Sequence, residues 1–175
     1  MNTLEFLSSS SLNPLDDLLQ LNKEGFIAGP EEEKPAFFLR VENTLAEAPE
    51  TPTPFPLELQ KLFDINPTFL EVSYSNESLD AWEAGCTWIM DNRVTIQLRK
   101  RFGFFSKEEV LSHEAVHAVR MKFYEPVFEE VLAYSTSKYC WRRFFGPLFR
   151  SAGETYFFLF FVLFGAFLLP WFPWI

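Results

Sequence analysis

SKEEVLSHEAVHAV, residues 106–119, is the stretch of the chain that decides its fold. A serine at position 106 with a glutamate three residues later is typical of a helix start, because the serine hydroxyl can cap the first turn. The apolar residues that follow recur at helical spacing, which predicts one continuous helix. His113 and His117 are four residues apart, so both imidazoles project from the same face of this helix.

These two histidines are the only ones in the chain, and their spacing predicts a metal site. Two imidazoles one helical turn apart can both bind a single zinc ion at about 2.0–2.1 Å. Glu114 follows the first histidine, where its carboxylate can take a proton from a water molecule activated by the metal. The stretch therefore predicts zinc as the cofactor, His113 and His117 as ligands and Glu114 as the catalytic base. The alternative is an incidental pair of histidines on a helix face.

A zinc site of this kind needs a third protein ligand, and the next predicted helix offers two candidates. The first helix should end near Phe123, and Pro126 suits the first turn of the second helix. In an antiparallel helix pair, a residue close to position 130 comes level with His117. Glu130 fits this position, and Glu129 fits it almost as well.

HEAVH at residues 113–117, followed by EVLA at residues 130–133, resembles the gluzincin metallopeptidases, particularly their small intracellular members. In that family a glutamate with an alanine three residues on supplies the third ligand, so the resemblance favours Glu130 over Glu129. It covers about residues 94–138 and implies hydrolysis of a peptide or protein substrate.

The resemblance also carries an expectation about the strand that precedes the motif helix. In the family this strand commonly forms the sheet edge that pairs with an extended substrate, and residues 94–98 would take that place here. The alternative is an ordinary hairpin strand.

The pattern over residues 56–150 predicts a small zincin-like α+β domain with a short antiparallel sheet. Residues 57–65 have the pattern of a helix and residues 69–74 that of a strand. Two apolar runs, residues 86–90 and 94–98, are separated by a short polar turn and predict a hairpin. We expect the motif helix to pack on the helix that follows it.

The first 55 residues predict a loosely packed or disordered region. They contain a serine run, an acidic run and several prolines, interrupted by two short helices that begin near Pro14 and Pro35. The chain start lacks a positively charged region before its short apolar stretch, unlike a secretory signal.

Residues 156–175 carry no charged side chain and predict a membrane anchor. Twenty helical residues at about 1.5 Å each match a hydrocarbon core of about 30 Å. Four basic residues precede the segment and none follows it, which predicts a tail-anchored protein with its main domain in the cytoplasm. The alternatives are a monotopic anchor and a buried core helix.

The net charge of −9 argues against nucleic acid as a partner, because phosphate binding requires a basic face. The sequence thus predicts a membrane-anchored zinc metallopeptidase. Two alternatives of another class are a zinc-binding domain without catalysis and a membrane-anchored interaction protein in which the motif is accidental.

Overall fold

The computed structural model describes residues 14–90, 93–103, 105–149 and 152–168. Over these residues the chain is a mixed α+β protein with seven α-helices and one three-stranded sheet. Its elements in chain order are α1 (Pro14–Lys23), α2 (Lys34–Ala46), α3 (Leu57–Phe63), β1 (Glu71–Tyr74), β2 (Gly85–Met90), β3 (Arg93–Leu98), α4 (Lys107–Val119), α5 (Pro126–Ser135), α6 (Cys140–Phe145), a short 3-10 helix (Gly146–Leu148) and α7 (Ala152–Leu168).

The sheet has the strand order β1-β3-β2, with β3 in the centre. β2 and β3 form the predicted antiparallel hairpin, in which Met90 lies opposite Arg93. β1 pairs with β3 in parallel, so the prediction of a wholly antiparallel sheet is wrong. β1 and β2 lie on opposite sides of β3. Residues 75–84 therefore connect one edge of the sheet to the other before the hairpin begins.

The expectation that residues 94–98 form a substrate-binding edge is also wrong. β3 is hydrogen bonded to a strand on each side, which leaves its backbone groups no edge to offer. Among the described residues, the outer strand on the hairpin side is β2. Strand order depends on how the chain crosses the sheet, and the alternation of residues within a strand carries no information about it.

The main core lies between the sheet and the motif helix α4. The buried apolar side chains of these two elements are Val94, Ile96 and Leu98 from β3 and Val110, Leu111, Ala115, Val116, Ala118 and Val119 from α4. Full burial of each valine, isoleucine or leucine side chain among them contributes about 1.5–3 kcal/mol. This packing fixes the motif helix against the sheet.

α4 begins at the predicted cap. The Ser106 hydroxyl accepts a hydrogen bond from the backbone N–H of Glu109 at 3.1 Å. The Glu109 carboxylate does not complete a capping box with Ser106, because it accepts a hydrogen bond from Ser137 and pairs with Arg142. The second hydrogen bond of the capping box, from the Ser106 backbone to the Glu109 side chain, is thus replaced by contacts of Glu109 with residues that follow α5.

Residues 14–55, whose composition predicts loose packing, contain two helices with an apolar cluster between them. The buried members of this cluster are Leu21, Phe26, Phe37 and Val41. Phe26 stacks on Phe69, just before β1, with 4.1 Å between ring centroids. Arg40 forms a buried ion pair with Glu32 at 2.7 Å and holds the pKa of that carboxyl below its usual value. Residues 1–13 lie outside the described ranges, and the domain boundary near residue 55 stays a prediction.

α7 covers part of the predicted membrane anchor and begins four residues before it. Its side chains from residue 153 onward are exposed or, at Thr155 and Leu168, half-buried. Within the described ranges no single helix is long and apolar enough to cross a membrane. Two consecutive segments, Cys140–Leu148 and Gly153–Leu168, have the required length and composition together, with a bend of 104° between them. Residues 169–175 lie outside the described part of the chain.

Candidate metal centre

Three side chains from two neighbouring helices converge on one point. His113 and His117 extend from α4, and their Nε2 atoms lie 3.4 Å apart. Glu130 extends from α5, with one carboxylate oxygen 3.5 Å from His117 Nε2 and the other 3.7 Å from His113 Nε2. The structure therefore brings together all three residues that the sequence predicts as ligands.

The spacing of these atoms fits a zinc ion. Bond lengths of about 2.0–2.2 Å and tetrahedral angles place neighbouring zinc ligands about 3.4 Å apart. The two imidazole Nε2 atoms, 3.4 Å apart, match that value, and each of them has a different Glu130 oxygen at 3.5 or 3.7 Å. Two imidazoles and one carboxylate also leave a fourth position open, as in catalytic zinc sites.

The protonation state of His113 suits a metal ligand. The pKa of His113 is lowered to about 3, mainly by burial and to a smaller extent by the neighbouring His117 and Arg142. The imidazole is therefore neutral at physiological pH and keeps a lone pair available. A ligand histidine must be deprotonated, so no proton has to be removed from this ring before a metal binds.

Glu129 and Glu130 occupy different sides of the same imidazole. Glu130 faces His117 Nε2, whereas a Glu129 oxygen lies 3.5 Å from His117 Nδ1. The Glu129 side chain is 15% exposed, and its Oε1 is buried without a hydrogen-bond partner in the described chain. Metal-bound histidines commonly pass their second N–H to a carboxylate, which fixes the tautomer. The geometry therefore suits Glu130 as the ligand and Glu129 as the residue that orients His117.

Glu114 lies beside this cluster and points toward β2. Its side chain is buried, and the Thr87 hydroxyl lies 2.9 Å from Oε2 and 2.9 Å from the Glu114 backbone carbonyl oxygen. Burial raises the pKa of Glu114 to about 7, against the lowering effects of His117 and of the Thr87 hydrogen bond. A carboxylate at this position can accept a proton from a neighbouring group and return it.

Gly85 allows β2 to approach α4 closely enough for Thr87 to reach Glu114. A Cβ at position 85 would lie 2.9 Å from Val110 Cγ1 and 3.1 Å from Glu114 Cγ, so a larger residue would push the strand away. Sequence reasoning missed both Gly85 and Thr87. A glycine at the start of a predicted strand is a weak signal of close backbone approach, and nothing in the local sequence marks Thr87.

Tyr134 packs against the first histidine from α5. Its ring lies 4.7 Å from the His113 ring in an edge-on arrangement. On its other side the Tyr134 ring contacts Gly146 so closely that a Cβ there would overlap it. The tyrosine thus holds His113 in place, and burial raises the pKa of the Tyr134 hydroxyl.

The cluster lines a cavity of about 960 Å³. β2 lines one wall of this cavity, through Cys86, Thr87 and Ile89. Apolar and aromatic side chains also line it, among them Trp82, Phe105, Trp141, Phe145, Phe149 and Tyr156. Concave apolar pockets with a few convergent polar groups are typical of binding and catalytic sites.

Comparison with known proteins gives no match for this chain among family models, curated proteins or solved structures. The assignment of a function therefore depends on the geometry and chemistry of the cluster.

Proposed function

We propose that this protein is a membrane-anchored zinc metallopeptidase of the gluzincin type, with His113, His117 and Glu130 as zinc ligands and Glu114 as catalytic base. The observation that carries the proposal is the convergence of two imidazole Nε2 atoms, 3.4 Å apart, with the Glu130 carboxylate, whose two oxygens lie 3.5 and 3.7 Å from them, in one cavity. The buried carboxylate of Glu114, the residue that follows the first histidine, lines the same cavity.

Each polar group of the site has a distinct task in peptide hydrolysis. A zinc ion bound by His113, His117 and Glu130 would supply Lewis acidity to the scissile carbonyl and would make a water molecule a better nucleophile. The Glu114 carboxylate accepts a proton from the attacking water and returns it to the nitrogen of the leaving amine. Thr87 holds Glu114 by its hydrogen bond, and Glu129 orients His117 from the far side of the ring.

β2 offers a surface for the peptide backbone. It is the outer strand on this side of the sheet in the described chain, and its residues line the cavity wall. Backbone N–H and C=O groups at a strand edge can pair with an extended peptide with little regard to its sequence. This supports a peptide or protein as the substrate.

The proposal includes anchoring through residues 156–175, with the main domain in the cytoplasm. The exposed apolar side chains of α7 support the anchoring. Phe157, Phe160 and Leu163, for example, are exposed and do not pack into a core of the described chain. The excess of basic residues before the segment supports the orientation.

Zinc stoichiometry of the purified full chain, measured by elemental analysis in detergent, tests the proposal. We expect one zinc per chain in the wild type and in Glu114→Gln, and a loss of zinc in His113→Ala and in Glu130→Ala. Peptidase activity should be present in the wild type and absent from Glu114→Gln, which keeps the metal.

The alternatives give different results in the same experiment. Zinc at one per chain without activity would identify a zinc-binding domain that lacks catalysis. A folded wild-type chain without zinc would contradict the enzyme assignment and leave a membrane-anchored interaction protein.

A further inference from the structure

An exposed patch of aromatic and basic side chains lies between the zinc-site helices and α7. We call residues 138–149 the junction segment; it consists of α6, the short 3-10 helix and their flanking residues. Its large apolar side chains are exposed to solvent: Trp141 is 61% exposed and Phe144 71%, with Tyr139, Phe145 and Leu148 also exposed. This is the composition of a surface that contacts another apolar phase.

The charge of the junction segment is opposite to that of the whole protein. It contains three basic residues and no acidic residue, although the chain carries a net charge of −9. Arg142 turns inward and pairs with the buried Glu109 of α4 at 2.8 Å. Lys138 and Arg143 are exposed on the surface. Aromatic side chains next to exposed cations match the interface of a bilayer that contains anionic lipids.

The orientation of the segment points to the bilayer surface and not to its interior. Cys140–Leu148 is bent by 104° from Gly153–Leu168, so it lies nearly in the membrane plane when α7 runs along the membrane normal. The same pair could be taken for one broken span. That arrangement would carry Arg142 and Arg143 toward hydrocarbon, which is costly for charged side chains.

We infer that the junction segment is a docking surface for a membrane containing anionic lipids, and that it holds the mouth of the catalytic cavity at the bilayer interface. Trp141 and Phe145 belong both to this exposed surface and to the cavity lining. Tyr156, near the start of α7, lines the cavity too. The inference rests on the proposed function: docking rests on the anchoring through α7, and the placement of a catalytic cavity at the bilayer rests on the enzyme assignment, whereas docking itself does not require zinc.

Cys140 provides a native position for a probe, because it is exposed at the first residue of α6. The full chain with Cys86→Ser can be labelled there with an environment-sensitive thiol fluorophore. It is then reconstituted into vesicles of phosphatidylcholine, with or without phosphatidylserine, some carrying nitroxide quenchers at headgroup depth. We expect a blue shift and quenching of the probe in the phosphatidylserine vesicles.

Charge variants give the quantitative test. Each basic side chain near an anionic surface changes the docking equilibrium about five-fold, so Lys138→Gln with Arg143→Gln should lower the docked-to-undocked ratio roughly 25-fold. The matched control is Lys34→Gln with Lys61→Gln, which removes two exposed lysines on α2 and α3. This control should dock like the parent.

Four results would overturn the inference. The first is a probe that stays in water while the chain floats with phosphatidylserine vesicles. The second is an equal effect of the two pairs of charge substitutions on docking. The third is a probe that becomes shielded in neutral detergent as protein concentration rises, which would assign the patch to a second copy of the chain. The fourth is failure of the chain to float with vesicles, which would remove the proposed anchoring as well. Zinc content measured on the same sample tests the metal site independently, so a failure of docking can be distinguished from a failure of the enzyme assignment.

Discussion

Replacement of Glu114 by glutamine should change how the stability of the metal-free protein depends on pH. Burial raises the pKa of Glu114 from 4.5 to about 7, so the folded chain keeps its proton where the unfolded chain has lost it. Between pH 4.5 and 7 the folded state therefore binds more protons, and this group makes the free energy of unfolding fall as pH rises. Glutamine is neutral and nearly isosteric with protonated glutamate. The free energy of unfolding of the variant therefore does not fall with rising pH on account of this position.

The size of the effect follows from the displacement of the pKa. At about 1.4 kcal/mol per pH unit, the displacement corresponds to roughly 3 kcal/mol. The free energy of unfolding of Glu114→Gln minus that of the wild type should thus rise by about 3 kcal/mol from pH 4.5 to 7. Titrating groups that do not interact with Glu114 are common to both chains and cancel in the difference.

Urea unfolding of chelator-treated full chain in detergent, followed at intervals from pH 4 to 8, measures this difference. His113→Gln supplies a control of opposite sign. The pKa of His113 is lowered to about 3, so its contribution to stability is lost as pH falls below 6.5. The difference between His113→Gln and the wild type should therefore fall as pH rises toward 6.5. A Glu114→Gln difference that stays constant from pH 4.5 to 7 would refute the buried placement of this carboxyl.

Three further predictions concern the site and the N-terminal helices. Thr87→Val should lower kcat about 10- to 100-fold with little change in KM or zinc content, because a hydrogen bond to a charged group contributes about 1.5–3 kcal/mol. Thr87→Ser keeps the hydroxyl and should therefore keep most of the wild-type kcat. Steady-state kinetics measure both variants. Glu129→Gln should weaken zinc binding about 10- to 100-fold, as expected for a residue that orients a ligand. Glu130→Gln should abolish stoichiometric zinc binding. Competition with a chelator measures both affinities, and equal affinities of the two variants would contradict the assignment of Glu130 as the ligand. Phe37→Ala should destabilise the chain by about 3–5 kcal/mol, because the side chain is 1% exposed. Leu39→Ala on the same helix, 58% exposed, should change stability by less than about 0.5 kcal/mol in urea unfolding.

The helix starts were the most predictable features of the fold. Ser106 caps α4, and Pro126 lies at the first position of α5, as their local sequences indicate. Caps and prolines act within one turn of backbone, so their effect is visible in a few consecutive residues. The end of α4 was less predictable: it lies at Val119, and the expected end near Phe123 is wrong.

The hairpin between β2 and β3 was also predictable, because two apolar runs separated by a short polar turn pair locally. The parallel pairing of β1 with β3 was not. It joins Glu71 to Thr95 across more than twenty residues, and no local pattern distinguishes it from an antiparallel partner. The sheet edge was misassigned for the same reason.

The sequence by itself determined which residues could bind a metal, because four-residue spacing places His113 and His117 on one face of any α-helix. It also determined that a carboxylate near position 130 would come level with them, but not which one. Only the tertiary structure decided that Glu130 faces Nε2 of His117 while Glu129 faces Nδ1, since this depends on the rotation of α5 against α4. It also decided that Thr87 reaches Glu114. That contact joins residues 27 positions apart, and it forms because Gly85 lets β2 approach the motif helix, which periodicity along the chain cannot show.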